Sequence, residues 1–260
     1  MKKCVLKFGG TSVRYYPENI LKIINNYKLK YTNIVIVLSA FSEITNLLFK
    51  LSKYPEDKLK LIDEFKIIHL NFIERYIKKQ SLKTTIINKL ETILYQLNNL
   101  CDNLTENRDN VITALGENMS WNIYQIYLLD NNTINSSIKS EDIIVTNKDC
   151  HFPDMRSTLL KINNNLVPML NNSSIILVYG YISSDPDNII SNLGRNGSDY
   201  TATIIGSCIK SDEIAIYTDV NGILTTDPRK YSGAKCIKHL HYKQVCEMSY
   251  FGASVLHPKT

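Results

Sequence analysis

The feature that most constrains this chain is a set of short runs in which almost every residue is apolar: CVLKF (4–8), NIVIVL (33–38), DIIVT (142–146), SIILVYG (174–180) and EIAIYT (213–218). A strand with one face in water alternates apolar and polar residues, whereas a continuous run belongs to a strand covered on both faces, as in a parallel sheet. Between these runs lie segments of helical period at 18–30, 44–53, 57–108, 111–129, 155–170, 198–209 and 242–251. Alternating strands and helices predict an α/β sandwich around a mostly parallel sheet. The 57–108 stretch has no strand signal but repeats Leu61, Phe65, Ile68 and Phe72, which predicts a helical hairpin inserted beside the sheet. No Pro/Gly/Ser linker and no internal repeat divides the chain.

Composition narrows the function classes. A net charge of +5 over 260 residues is mild, and the lysines are scattered among Asn, Ile and Tyr instead of forming a stripe, so a nucleic-acid role is disfavoured. The six cysteines (4, 101, 150, 208, 236 and 246) form no C-x-x-C pair and no metal-ligand spacing, so they read as reduced thiols. The start MKKCVLKFGG reaches glycine before a signal-peptide core can form, and the apolar runs are too short to span a bilayer. These features predict a cytoplasmic protein without a membrane partner.

In an open α/β sheet, ligands bind beyond the carboxyl ends of the strands. KFGGTSV (7–13) follows the first strand there and offers backbone N–H groups, two hydroxyls and Lys7 to an anion. It is neither a Walker A loop nor GxGxxG, and an ordinary glycine turn with a surface lysine fits the residues equally well. LSAFSEITN (38–46) places Ser39 and Thr45 where they could donate to a carboxylate, or Ser42 or Thr45 could simply cap a helix. In LGENMS (115–120), Glu117 reads as a solvated first-turn carboxylate or as the partner of an amine. LGRNGSDYTATIIG (193–206) puts Arg195 and Asp199 in a bare loop ahead of a helix. YTDVNGILTTDPR (217–229) reads as a strand end followed by a hairpin turn and an Asp-Pro turn.

Taken in order, KFGGTSV, EITN, GENMS, GRNGSDYTA, YTDVNGILTTDPR and MSYFGASVLHPKT resemble the aspartokinases of the amino-acid kinase superfamily, from Lys7 to Pro258. GRNGSDY and MSYFGA-VLHP are most like the kinase portion of bacterial bifunctional aspartokinase–homoserine dehydrogenases. The resemblance implies the three-layer αβα amino-acid kinase fold over 1–260, with the helical insertion at about 57–108. It implies transfer of the ATP γ-phosphate to the side-chain carboxylate of L-aspartate, the first step toward lysine, threonine and methionine. By the same resemblance Lys7 and Asp199 are catalytic, and Thr45, Glu117, Tyr181, Arg195 and Ser198 hold aspartate. Lys7, Gly9, Gly10, Thr218, Asp219, Leu224, Arg229 and Ser254 would meet the nucleotide. Mg²⁺ would arrive with ATP on its phosphate oxygens, without a protein cage.

The chain departs from that pattern in three places. Relatives carry a lysine where this chain has Ser254, with Lys259 as a conceivable stand-in. An aromatic residue near the adenine is replaced by Leu224. The sequence stops at Thr260, before the family's last strand and helix and without regulatory or dehydrogenase domains. A catalytically impaired aspartate- and ATP-binding partner subunit is therefore the alternative, and a homodimer or a separate chain completing the domain stays open.

Overall fold

The structure is a computed structural model that describes residues 2–103, 107–148, 152–194, 196–218, 220, 222–227, 230–252, 256 and 259–260. Strand β1 (Lys3–Phe8) leads into a short helix α1 (Gly10–Tyr15) and α2 (Pro17–Lys28), and strand β2 (Asn33–Leu38) returns beside β1. Helices α3 (Ile44–Lys53), α4 (Lys58–Tyr76), α5 (Gln80–Asp102) and α6 (Arg108–Asp130) follow before strand β3 (Ser136–Ile138). Helix α7 (Met155–Lys161) passes through one wide turn into α8 (Val167–Asn172), then come β4 (Ile175–Tyr179) and the small strands β5 (Ile182–Ser184) and β6 (Ile190–Asn192). Helix α9 (Gly197–Cys208), strand β7 (Glu213–Tyr217) and helix α10 (Tyr242–Tyr250) complete the described elements.

The main sheet has the order β3-β4-β2-β1-β7, with every pairing parallel. Successive residues of its strands enter different cores. Leu6, Ile34, Ile36 and Leu177 join the cluster packed by α1 to α6, while Val5, Val35, Val37 and Val178 join the cluster packed by α8 and α9. Both faces of β1, β2 and β4 are thus covered, which is why their runs are continuously apolar, whereas β7 at the sheet edge is only partly buried and Ile214 is exposed. The layers are helix, sheet and helix, as expected. Among the described residues no helix is long and apolar enough to cross a membrane.

Two expectations need correction. The run 142–146 is not a strand of the sheet. Ser140–Asp142 form a 3₁₀ turn, Ile143 and Ile144 are buried in the second core, and Val145 and Thr146 make isolated bridges to Ser184 and Pro153. Its backbone is satisfied locally, with Ile144 N donating to Ser140 O and Ser184 N to Ile144 O. An apolar run demands burial and does not by itself demand a ladder. The edge strand is the earlier and more polar β3. The helix expected at 155–170 is broken by a π turn over Ile162–Leu166. Pro168 has no N–H to give the carbonyl four residues before it, and the wider turn precedes it.

The insertion is a helical hairpin, α4 and α5, as the periodicity predicts. Its connection is pinned by Asp130, which accepts from the backbone N–H of Lys78 (2.7 Å) and of Lys79 (3.1 Å). The hairpin also buttresses the loop after β2, since Phe41 packs on Phe72 and His69 with ring centroids 4.9 and 5.0 Å apart.

Candidate active site

The carboxyl end of β1 presents Lys7, whose Nζ lies 2.6 Å from Oδ1 of Asp199 in the first turn of α9. Both residues are buried. Gly9 N donates to Tyr217 O at the end of β7 (3.1 Å), and Gly10 opens α1. A β-carbon on Gly10 would stand 2.6 Å from Ala40 O and 3.0 Å from Ser42 N, so this close approach of two backbones requires glycine.

Glu117 is not in a first turn. It sits in the middle of α6 and is 4% exposed. Its Oε2 has no hydrogen-bond partner among the described residues. Burial pushes its carboxyl up to about 8, against a backbone hydrogen bond from Ala40 and the positive charge of Lys7, which both pull it down. A buried carboxyl with one oxygen left unbonded is chemically suited to pair with a cation.

Lys7, Gly10, Thr45, Glu117, Tyr181, Ser198 and Asp199 line one cavity of about 850 Å³. They arrive from the end of β1, the first turn of α3, the middle of α6, the β4–β5 connection and the start of α9. Ser198 packs so closely on Gly180 that a β-carbon there would lie 2.5 Å from Ser198 Cβ. The Tyr181 N–H donates to Thr201 Oγ1 (3.1 Å), and its phenol is raised mainly by burial, with a hydrogen bond to Thr113 working the other way. The helix-capping reading of the 38–46 loop does not hold: Glu43 is the N-cap of α3, no side chain caps it, and Ser42 Oγ has no hydrogen-bond partner among the described residues.

The cavity wall also gathers unusual backbone. Glu43 (φ 77°), Tyr181 (φ 72°) and Asn196 (φ 57°) carry β-carbons in the left-handed region, and Gly194 (φ 74°) joins them. Each such non-glycine residue costs about 1–3 kcal/mol and persists where packing over-determines it, typically at functional sites.

Sequence reading missed part of the wall. Asn110 and Thr113 of α6 line the cavity with Glu117, and Asn192 Nδ2 donates to Asn110 Oδ1 (2.9 Å). The spacing 110, 113, 117 is one face of a helix and could have been found by projecting back from Glu117. On the other side, Thr218 follows β7, and Leu224 is partly buried in an isolated bridge to Cys236; neither lines the cavity. Arg195, Asp219, Arg229 and Ser254 lie outside the described residues. Lys259, the conceivable stand-in for Ser254, has its Nζ 3.9 Å from the ring centroid of Phe152, ahead of α7, and is not among the cavity-lining residues. Among the described residues no cluster of three His, Cys, Asp or Glu side chains forms a metal cage.

The amino acid kinase family matches this sequence over residues 2–260. The chain belongs to the amino acid kinase family. Within the family it is 33% identical to the bifunctional aspartokinase/homoserine dehydrogenase of Buchnera aphidicola, over 98% of this chain and 33% of that protein. It is 30% identical to the lysine-sensitive aspartokinase 3 of Escherichia coli, over 98% of this chain and 58% of that protein. The crystal structure of E. coli aspartokinase III in complex with aspartate and ADP superposes with a TM-score of 0.89 at 29% identity, over 100% of this chain and 58% of that one. This family member thus spans about a third to somewhat over half the length of these relatives.

Proposed function

We propose that residues 1–260 act as an aspartate kinase domain, with the helical insertion at about 57–108, converting ATP and L-aspartate to ADP and 4-phospho-L-aspartate. The observation that carries this reading is the buried Glu117 carboxyl, whose Oε2 has no hydrogen-bond partner among the described residues, in the same cavity as the Lys7–Asp199 pair. One group suits a substrate ammonium and the other a transferring phosphate. The likeness to E. coli aspartokinase III in complex with aspartate and ADP supports it.

On this reading an oxygen of the aspartate side chain attacks the γ-phosphorus, the bond to the β,γ-bridging oxygen breaks, and ADP leaves. Such transfer needs in-line placement and neutralisation of charge more than covalent help. Lys7 meets the charge on the γ-phosphoryl oxygens, and Asp199 holds its Nζ in place. Asn196, Gly197, Ser198 and Asp199 at the N-terminus of α9 line the same cavity, where the positive end of the helix dipole favours an anion. Glu117 takes the ammonium, Thr45 and Ser198 donate to substrate oxygens, Tyr181 walls the pocket, and Arg195 forks onto a carboxylate. Gly9 and Gly10 let the phosphates approach the backbone, with Thr218, Asp219, Leu224, Arg229 and Ser254 on the nucleotide side. Mg²⁺, carried by the phosphate oxygens, supplies charge neutralisation when bound.

The test is ADP release by the purified chain with Mg·ATP and L-aspartate, together with trapping of the acyl phosphate by hydroxylamine. Hydroxamate formed with aspartate and absent with glutamate, and no ADP release with UMP, is the expected outcome; binding of both ligands without turnover would favour the impaired partner subunit. Arg195→Lys is expected to raise the aspartate KM at least tenfold with ATP KM nearly unchanged, because an ammonium cannot reproduce the bidentate fork. Equal losses for both ligands would make Arg195 structural.

A further inference from the structure

We propose that Arg14 and Glu43 form a clasp that positions the amino-acid side of the cavity, which makes Arg14 a positioning residue for the acceptor. The proposal rests on the aspartate kinase reading for its kinetic consequences and on the structure alone for its mechanical ones.

Glu43 holds a left-handed backbone (φ 77°) at the N-cap of α3, one residue before that helix begins. That conformation is unfavourable for a residue with a β-carbon, and no capping side chain steadies it. What does hold it is Arg14, in the last turn of α1. Its Nη1 donates to Ser42 O (2.9 Å) and pairs with the Glu43 carboxylate. At the other end of α1, Gly10 O accepts from Ser42 N (3.1 Å). The segment is therefore tied to α1 at two points, and α1 is rooted directly behind Lys7 and Gly9.

The ion pair itself adds little to stability. The Glu43 side chain is 67% exposed, and exposed pairs contribute little. Helix α1 is six residues long with Val13 its one buried side chain, so Arg14 does not brace a core either. The arrangement makes sense as register: a charge-assisted bond to the Ser42 carbonyl fixes where α3 starts, and its first turn carries Thr45 into the cavity. The reach is short and specific. Lys7 and Gly10 sit at one end of α1, Thr45 is set from the other, and the clasp holds the two halves of the cleft in register.

Four variants test this: Arg14→Ala, Arg14→Lys, Glu43→Gly and the Arg14→Ala/Glu43→Gly double variant. Arg14→Ala is expected to raise the aspartate KM about fivefold to tenfold, with kcat and the ATP KM within about twofold of the parent. Arg14→Lys should recover part of the loss, since one ammonium can reach the carbonyl but cannot fork. The double variant is the decisive one. Glycine adopts the left-handed conformation without strain, so removing the side chain at 43 should make the clasp unnecessary and return the aspartate KM to within about threefold of the parent. Hydrogen exchange gives a readout free of catalysis: the amides of Ile44 and Leu47, which donate to Phe41 O and Glu43 O, should exchange about tenfold faster in Arg14→Ala and slow again in the double variant. An Arg14→Ala protein with unchanged aspartate KM and unchanged exchange, or a double variant no better than Arg14→Ala, overturns the clasp. Exchange effects as expected in a protein that never phosphorylates aspartate would keep the clasp and sink the aspartate reading.

Discussion

Lys7→Met is expected to lower kcat by about 10²–10³, the usual cost of removing one preorganised electrostatic group from a transition state. Aspartate KM should move far less, since Lys7 is read as serving the phosphoryl group and not the amino acid. The substitution also has a structural effect that must be separated from the chemical one. Asp199 is 7% exposed and its Oδ1 meets Lys7 Nζ at 2.6 Å, so the variant strands a buried carboxylate. Breaking a buried pair on one side costs about 3–5 kcal/mol. Lys7→Met/Asp199→Asn resolves the ambiguity. It should regain much of the lost thermal stability, as no charge is left uncompensated, yet remain as inactive as Lys7→Met. Activity returning together with stability in the double variant would show that Lys7 acts only through folding.

Glu117→Gln should have opposite effects on binding and on stability. The aspartate KM is expected to rise about 10²-fold, because the amide keeps the shape and loses the charge that a buried ammonium needs. The unliganded protein, in contrast, should become more stable at and above pH 8. Glu117 stands at about 8 in the native state against 4.5 as the ordinary value, so between those limits the native state holds a proton that the unfolded chain has lost. Stability from this group is therefore fully present below pH 4.5 and declines as pH rises toward 8. Thermal unfolding of parent and variant across pH 5–9 would show this as a slope in the parent that is flattened in Glu117→Gln. Overlapping curves would mean that the carboxylate is not held in the way its burial implies. On the aspartate kinase reading, the same linkage is expected to lower the aspartate KM of the parent as pH rises toward 8, because a substrate ammonium would pair with the ionised carboxylate.

The layers of the fold were legible because burial on both faces leaves a compositional trace, and β1, β2 and β4 lie where continuous apolar runs occur; β7 also lies in such a run but is only partly buried. The same trace misled at 142–146, where Ile143 and Ile144 are buried in the far layer without entering a ladder. β3, at the sheet edge and made of Ser136, Ser137 and Ile138, carries too little apolar character to be seen. The cavity was legible as motif order: Lys7, Thr45, Glu117, Tyr181 and the adjacent pair Ser198 and Asp199 come from five separate segments of the chain and line one cavity. The surroundings of Glu117 were not, because the burial of a carboxylate depends on which helix turns face the sheet and on the packing of Ala40 and Lys7 around it. Nor could pattern reveal the backbone of Glu43 and Tyr181, since left-handed conformations of such residues are imposed by tertiary packing and not by local preference.

The position of β1 in the sheet bears on how a cleft of this kind can diverge. Lys7 hydrogen-bonds within a strand flanked by β2 on one side and β7 on the other, opposite Val37 and Ile216. Amides in so central a ladder exchange with solvent mainly through global unfolding, whereas the first turns of peripheral helices open locally and at lower cost. The Lys7 end of the cleft, proposed above to meet the phosphates, is therefore the part least able to drift. A change of acceptor has to be sought in α3, α6 and the β4–β5 connection, where side chains can be exchanged without opening the sheet.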